Sequence, residues 1–286
     1  MKQADITEHL RKGGYEAYAD IIEAQAERSV GFHMIPTDES DLSLGCSKAG
    51  GSPDLPPNCS WPCYRGKPLG FILQISLEDI SRFHHCKELP NNGLLSVFYN
   101  YVDQPWGFDP RDRRQWRVLY IPEPERGLKR FALPEGDTIW TFRSCALEFH
   151  EALCAGWVTI PFETLNPEKQ EINKYFSFLL SLPTDSSHQI LGRTNGIHST
   201  GQEMKRECQW VSNGLFCGGG GGPAFDQKRA QELEPGADEW RLLLQLDTDE
   251  NSTMEWGDRG QLYFWIRDED LGQGDFTDVW VILQCL

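Results

Sequence analysis

Short runs of apolar and aromatic residues, bounded by turn residues, recur along the 286-residue chain. Runs of five to seven residues rich in β-branched and aromatic side chains are typical of β-strands. The pattern predicts strands at 71–76, 94–99, 116–121, 138–143, 157–161, 241–247, 261–267 and 279–285. The chain is therefore predicted to be dominated by short strands.

Apolar residues spaced by three and four predict helices elsewhere. Two are predicted over 3–12 and 14–29, within an N-terminal helical region at 1–35, and a central helix within 165–182 follows Asn166, a good N-cap. Residues 188–213 are predicted to be mixed, with short β character. The stretch 218–238 begins with five glycines and is predicted to be a flexible loop.

Three of the predicted strands align with the last three. Residues 70–76, 92–98 and 116–120 match 241–247, 259–265 and 280–284 at offsets of 171, 167 and 164. We interpret this as an internal duplication. The predicted fold class is α+β: a single compact domain over 1–286, with a predominantly antiparallel β-sheet built from two related β units, 68–161 and 238–286, an N-terminal helix and a central helix.

The charge balance narrows the classes of partner. The chain has 27 Lys plus Arg and 43 Asp plus Glu, a formal net charge of −16, so its long-range field repels nucleic acids and anionic membranes and favours a protein or peptide of basic character. No apolar stretch approaches the length of a membrane span, and the N-terminus lacks a secretory signal. Nine scattered cysteines indicate reduced thiols. A cytoplasmic location without a cofactor is expected.

Cysteine and histidine spacing offers one candidate metal site. Cys59 and Cys63 are three residues apart, and His84 and Cys86 follow. Such residues can bind zinc, but the spacing of the second pair is irregular. The alternative is a proline-rich loop and a polar loop that carry incidental cysteines and histidines.

A catalytic signature is missing from the sequence. The glycine-rich segments lack the Gly-Lys-Ser/Thr of a phosphate-binding loop, and the serines lack the Gly-x-Ser-x-Gly context of a hydrolase. The acidic clusters lack the glycine and glutamate of a calcium loop. The best acid–base hypothesis combines His188 or His198 with Glu207, and it requires that these side chains converge in one pocket.

Ten tryptophans are the most unusual part of the composition. Trp116 and Trp265 lie in predicted strands and are expected in the core. Trp106 and Trp256 each precede a glycine in acidic, turn-rich surroundings, where an indole can stack on a ligand. Asp258 lies close to Trp256 in the sequence, and two glutamines occupy equivalent positions of the proposed repeat. The candidate binding residues are therefore Trp106, Trp256, Asp258, Gln74 and Gln245. The two glutamines could instead form structural hydrogen bonds.

Several strings resemble the YwqG-like family of bacterial proteins. They are 47–51, 53–56, 61–62, 68–71, 73–75, 188–192, 207–209, 240–246 and 256–285. The resemblance covers residues 8–286 apart from the five-glycine loop and the charged stretch after it. It implies an α+β fold with an internal β duplication and a bacterial source. The family has no established biochemical activity, so the resemblance implies no catalytic residues.

Three functions compete at this point. The favoured one is a non-enzymatic binding or adaptor module with a ligand or peptide cleft between the two β units. The second is a hydrolase-type enzyme with a His/Glu site, and the third is a structural zinc protein. The oligomeric state is left open.

Overall fold

The computed structural model of the protein describes residues 11–12, 27–134, 141–154, 188–194, 196–218 and 224–286. Residues 11–12 are helical. The central helix predicted within 165–182, the strand predicted at 157–161 and most of the N-terminal helices lie outside the described residues. Residues 141–143, the described part of the strand predicted at 138–143, do not form a strand.

The described chain contains fourteen strands, ten of which form one sheet. In chain order they are β1 Glu27–Pro36, β2 Lys48–Ala49, β3 Asp54–Leu55, β4 Cys63–Tyr64, β5 Lys67–Pro68, β6 Gly70–Ser76, β7 Leu94–Tyr99, β8 Trp116–Ile121, β9 Lys129–Arg130, β10 Cys145–Cys154, β11 Gln189–Ile190, β12 Trp240–Asp247, β13 Gln261–Arg267 and β14 Trp280–Gln284. The large sheet has the order β14-β13-β12-β11-β1-β10-β2-β6-β7-β8. Its strand pairs are all antiparallel. The pairs β3-β9 and β4-β5 form separate two-stranded sheets.

Besides residues 11–12, the described part of the chain contains four helices of five to twelve residues. They are α1 Leu77–Ser81, α2 Gly201–Ser212, α3 Gln227–Leu233 and α4 Asp268–Gln273. Short 3-10 helices lie at Glu39–Asp41, His84–Glu88, Pro110–Asp112, Pro124–Arg126 and Glu234–Glu239. None of the helices among the described residues is long and apolar enough to cross a bilayer.

The middle of the sheet corrects the N-terminal prediction. Residues 27–35, predicted as part of a helical region, belong to β1, which pairs with β10 along ten residues. Val30, Phe32 and Met34 of β1 are buried in the main core. The period-2 burial of these side chains is the strand signal that the preceding helical pattern obscured.

The two ends of the sheet contain the six strands predicted at equivalent positions. Counted inward, each end has three strands of five to eight residues and then a two-residue strand, β2 or β11. The ten-residue strands β1 and β10 lie side by side between the two ends. The register shifts between Phe71 and Leu73 in β6 and between Leu242 and Leu244 in β12. These irregularities lie at the same position under the offset of 171.

The helices correct two further predictions. Residues 201–212, predicted to have short β character, form α2, which begins with a capping box between Thr200 and Glu203. Residues 227–239, predicted as part of a flexible loop, form α3 and a 3-10 helix. The Asp226 side chain accepts a hydrogen bond from the Arg229 N–H and so caps α3.

The sheet curls so that strands from its two ends meet. The indole rings of Trp116 in β8 and Trp280 in β14 pack edge to face with centroids 5.2 Å apart. The Trp116 Nε1 donates to the Val279 carbonyl at 2.7 Å. One continuous core therefore includes side chains of both ends of the sheet. The same curvature brings the loop between β7 and β8 against β14.

Candidate functional site

The loop between β7 and β8 is fixed against the outer edge of β14. The Leu283 N–H donates to the Trp106 carbonyl at 3.1 Å, and the Trp280 Nε1 donates to the Gly107 carbonyl at 2.9 Å. Gly107 has φ +82°, and a Cβ there would overlap the carbonyl oxygen of Val281. Only glycine fits this approach. The adjoining Trp106 side chain is 50% exposed.

Two clefts flank Trp106. The first has a volume of about 530 Å³ and lies between this loop, β14 and α2; it is lined by Trp106, Phe108, His198, Ser199, Glu203, Arg206, Glu207, Trp210, Leu283 and Gln284. The second has a volume of about 670 Å³ and is lined by Tyr64, Arg65, Asp103, Pro105, Trp106, Phe108, Asp109, Asp112, Gln115, Phe216 and Gly218. Trp106 and Phe108 line both, so we describe the two clefts together as the Trp106 groove.

Acidic side chains outnumber basic ones in the Trp106 groove. Its carboxylates are those of Asp103, Asp109, Asp112, Glu203 and Glu207. Its two arginines are Arg65 and Arg206, and the latter pairs with Glu234 at 2.8 Å. A cleft lined mainly by one sign of charge concentrates ligands of the opposite sign. The groove is thus suited to a cationic ligand with apolar parts.

Two of these carboxyl groups have raised pKa values. Burial, with a smaller contribution from Glu203, raises the pKa of Glu207 to about 7. The Glu207 Oε2 is buried and has no hydrogen-bond partner among the described residues. Burial also raises the pKa of Asp112, although the Gly107 N–H donates to its Oδ2 at 3.1 Å. Both groups gain a favourable partner if a cation enters the groove.

His198 and Glu207 line the same cleft, whereas His188 lies elsewhere. The Nε2 of His198 is 2.6 Å from the Cys285 carbonyl, and the backbone N–H of His198 donates to Gln284 Oε1 at 3.0 Å. His188 Nδ1 accepts from the Asp247 N–H at 3.1 Å. The structure therefore does not bring His188 and Glu207 together, as the hypothesis of their joint action requires.

His188 is instead buried directly before β11. Its ring stacks on Phe32 with centroids 5.2 Å apart, and its Nε2 lies 3.6 Å from Asp249 Oδ2. Burial raises the pKa of Asp249, but hydrogen bonds from His188 and Ser252 outweigh it and leave the value below that of an ordinary aspartate. The arrangement stabilises the turn after β12.

Trp256 and Asp258 lie outside the Trp106 groove. Trp256 is fully buried, packs edge to face on Tyr99 and Phe142, and donates its Nε1 to the Asp247 carbonyl at 3.1 Å. Asp258 is exposed, and its backbone carbonyl accepts from the Leu286 N–H at 3.0 Å. Trp256 is thus a core residue in this structure, in the same way as Trp116 and Trp265, which are buried as predicted.

Gln74 belongs to a buried ionic cluster. Its Nε2 donates to Asp54 Oδ2 at 2.9 Å and its Oε1 accepts from the Asp54 N–H at 2.9 Å. The fully buried Lys48 donates from Nζ to Glu39 Oε1 at 3.0 Å, and Arg130 donates from Nε to Asp54 Oδ1 at 2.9 Å. We name these five residues the Lys48 cluster. They join the turn after β1 to β2, β3, β6 and β9.

Gln245 lies at the equivalent position in the other half of the sheet. It is fully buried and pairs across the ladder with Gln189, as Gln74 pairs with Lys48. Gln189 donates from Nε2 to the Arg193 carbonyl at 2.6 Å. Gln74 and Gln245 therefore lie inside the sheet and do not face a shared cleft.

The four candidate zinc ligands do not come together. Cys59 and Cys63 lie beside β4, whereas His84 and Cys86 lie in a 3-10 helix after α1. In the described part of the chain, which includes all four, no group of three His, Cys, Asp or Glu side chains is placed to hold a metal ion. Cys86 is buried, and burial raises the pKa of its thiol to about 12. The candidate zinc site is therefore not assembled among the described residues.

Sequence reasoning found Trp106, His198 and Glu207 but missed the rest of the groove. Phe108 and Asp112 follow Trp106 closely along the chain, and a cluster of aromatic residues and aspartates in one loop is a signal of a binding surface. Trp210 lines the groove from α2, and Phe216 lines it from the segment that follows α2. Their approach depends on α2, which the sequence pattern did not predict.

Comparison with known proteins identifies the family. Residues 47–285 match the family described as a domain of unknown function, DUF1963. No curated protein matches the chain. Because the match covers most of the chain, the protein belongs to the DUF1963 family. The match includes the Trp106 groove and all of the Lys48 cluster except Glu39.

Proposed function

We propose that this DUF1963 member is a non-enzymatic binding or adaptor protein whose Trp106 groove holds a basic segment of a partner protein. The observation that carries the proposal is a half-exposed indole, fixed between two clefts whose walls combine aromatic rings with an excess of carboxylates. A guanidinium or ammonium group can stack on the indole and pair with the carboxylates. The groove lies between the loop after β7 and β14, and so between the two ends of the sheet.

Charge complementarity favours a lysine- or arginine-bearing peptide over other ligands. The chain as a whole has a formal net charge of −16, which steers a basic partner toward the molecule. The aromatic side chains Phe108 and Trp210 supply apolar contacts on both sides of the groove. Exposed, well-anchored tryptophans are frequent hot spots of protein interfaces.

The test measures binding of a fluorescent peptide in which arginine and leucine alternate. A peptide in which glutamate and leucine alternate is the control for charge. Trp106→Ala removes the indole on which the cation stacks and is expected to weaken binding of the basic peptide at least about tenfold. This factor corresponds to about 1.4 kcal/mol of binding free energy. Leu44→Ala changes an exposed apolar side chain outside the groove and serves as the control. Equal binding of both peptides, or unchanged affinity of Trp106→Ala, would overturn the proposal.

The pH dependence provides a second readout of the same groove. Glu207 is neutral below and ionised above its raised pKa of about 7, so binding of the basic peptide is expected to tighten between pH 6 and pH 8. Glu207→Gln is expected to remove most of this change. If the variant keeps the full pH dependence, Glu207 does not face the bound cation.

A hydrolase is the second candidate function, and it is favoured by the presence of His198, Ser199 and Glu207 in one cleft. A carboxyl group with a pKa near neutrality can act as a general acid or base. This function predicts turnover of ester or peptide substrates that Glu207→Gln and His198→Asn abolish, without a parallel loss of peptide binding. Turnover that survives both variants would argue against it.

The two ends of the sheet are proposed to derive from an internal duplication. The equivalent register shifts in β6 and β12, together with the ladder pairs Lys48–Gln74 and Gln189–Gln245, support this origin. In an experimental structure, residues related by the offsets 171, 167 and 164 are expected to superpose best. A better superposition after a one-residue shift would contradict the duplication. From the strings that resemble the YwqG-like family, we also propose that the protein is YwqG-like, of bacterial source and cytoplasmic.

A further inference from the structure

A third cleft differs in charge from the Trp106 groove. It has a volume of about 520 Å³ and is lined by Glu27, Arg28, His84, His85, Lys87, Glu88, Leu191, Gly192, Lys205, Arg241 and Leu242. These residues come from the start of β1, the 3-10 helix after α1, the turn after β11, α2 and β12. We name it the histidine–lysine cleft.

The acidic residues of this cleft are already paired with arginines. Glu27 accepts from Arg193 at 3.2 Å, and Glu88 forms an ion pair with Arg241. In contrast, neither Lys87 nor Lys205 forms an ion pair within the part of the chain that the structure describes. The lining carries four basic side chains and two carboxylates, but Arg28 also pairs with Glu151 and Arg241 with Asp268. The positive charge of the cleft that is not balanced by an ion pair is therefore that of Lys87 and Lys205.

The shape and floor of the cleft limit the class of ligand. Its volume falls within the range of small-molecule sites. Buried Leu191 and Leu242 form an apolar floor beneath the charged walls. The ring of His84 packs edge to face on that of His85, with centroids 5.6 Å apart, so both imidazoles are available at the same wall.

We propose that the histidine–lysine cleft binds a small phosphorylated molecule. Lys87 and Lys205 supply the charge that pairs with the phosphate, and the imidazole rings of His84 and His85 can donate hydrogen bonds to its oxygens. The leucine floor contacts the organic part of the ligand. This site is separate from the Trp106 groove, and its occupancy does not depend on the function proposed for that groove.

Calorimetric titration with inorganic pyrophosphate at constant ionic strength tests the phosphate part of the proposal. Lys87→Ala/Lys205→Ala is expected to weaken binding at least tenfold. Lys67→Ala/Lys129→Ala removes two exposed lysines outside the cleft and is the matched control. Undetectable binding to the unmodified protein, or equal weakening by both double variants, would overturn the proposal.

The imidazoles give a second, independent arm. At constant pH and ionic strength, His84→Ala/His85→Ala is expected to weaken pyrophosphate binding several-fold, because it removes two side chains that can donate hydrogen bonds to the phosphate oxygens. The facing charged groups Glu27, Arg28, Glu88 and Arg241 are unchanged in this variant. Thermal unfolding of each variant verifies that it is folded. An affinity for pyrophosphate that is unchanged without the histidines would exclude their part in the site.

Discussion

The two ends of the sheet place different chemistry at the same position. In the first, the ladder pair Lys48–Gln74 leads into an ionic cluster with Asp54, Glu39 and Arg130. In the second, the pair Gln189–Gln245 is neutral. Both pairs are buried, so each must satisfy its polar groups internally. The Lys48 cluster also anchors surface loops, whereas the pair Gln189–Gln245 makes its contacts close to the sheet.

The matched substitutions Lys48→Met and Gln189→Met test this difference most strongly. Lys48→Met leaves the buried Asp54 and the partly exposed Glu39 without their lysine, and we expect it to lower the free energy of unfolding by about 3–5 kcal/mol. Gln189→Met removes amide hydrogen bonds, and we expect a loss of about 1–2 kcal/mol. Chemical denaturation measures both. Equal losses would show that the ionic cluster adds nothing beyond an ordinary buried polar contact.

Trp116 and Trp280, which meet where the two ends of the sheet come together, should contribute similar amounts to the free energy of unfolding. Trp116→Phe and Trp280→Phe each remove an indole N–H bound to a carbonyl, and we expect each to lower the free energy of unfolding by about 1–3 kcal/mol. Because the rings touch, the double variant should lose less than the sum.

Trp61→Phe provides the control for that pair. Its Nε1 donates to the Leu69 carbonyl at 2.9 Å, within the first end of the sheet. Combined with Trp280→Phe it should give an additive loss of unfolding free energy. Non-additivity of this control pair would mean that the measured coupling is not specific to the contact between the two ends.

Acidification should weaken the first end through Asp54. Burial raises the pKa of Asp54, but hydrogen bonds from Arg130 and Gly45 and the charge of Lys48 outweigh it, so the pKa lies below the usual value. The resulting stabilisation is present above the pKa of an unfolded aspartate and is lost as the pH falls through the lower folded value. We expect unfolding experiments between pH 5 and pH 3 to show this loss.

Asp54→Asn isolates that contribution. The variant should be less stable at pH 7 but should lose less unfolding free energy than the unmodified protein on acidification. Asp258→Asn changes an exposed aspartate that forms no ion pair among the described residues and should leave the acid profile unchanged. An identical acid profile for the unmodified protein and Asp54→Asn would remove Asp54 from the explanation.

The strands at the two ends could be predicted because their side chains carry a local signal. Leu94–Tyr99 and Gln261–Arg267 are rich in aromatic and branched residues and were located to the residue. Strand Cys145–Cys154 was missed, because its alanines, leucines and glutamates favour helix when taken alone. Its pairing with β1 overrides that preference. A central strand can thus depend on tertiary contacts more than on its own composition.

The site was predictable only where one residue carries the signal. Trp106 stands out as an indole in an acidic turn, but the cleft around it needs α2 to bring in Glu207 and Trp210. The capping box of Thr200 and Glu203 was a local signal that could have located α2. Lys48 and Asp54 lie six residues apart, and their burial follows from the strand order, which no local pattern encodes.

The loop that holds Trp106 also covers part of the outer edge of β14. Strand Trp280–Gln284 is uncharged, fully buried and rich in residues that favour β-structure, features of segments that initiate amyloid-like aggregation when an edge is free. The Trp106 carbonyl accepts from Leu283, and Gly107 allows the loop to lie close against Val281. The same backbone that presents the indole therefore keeps a hazardous strand edge from templating the addition of another chain.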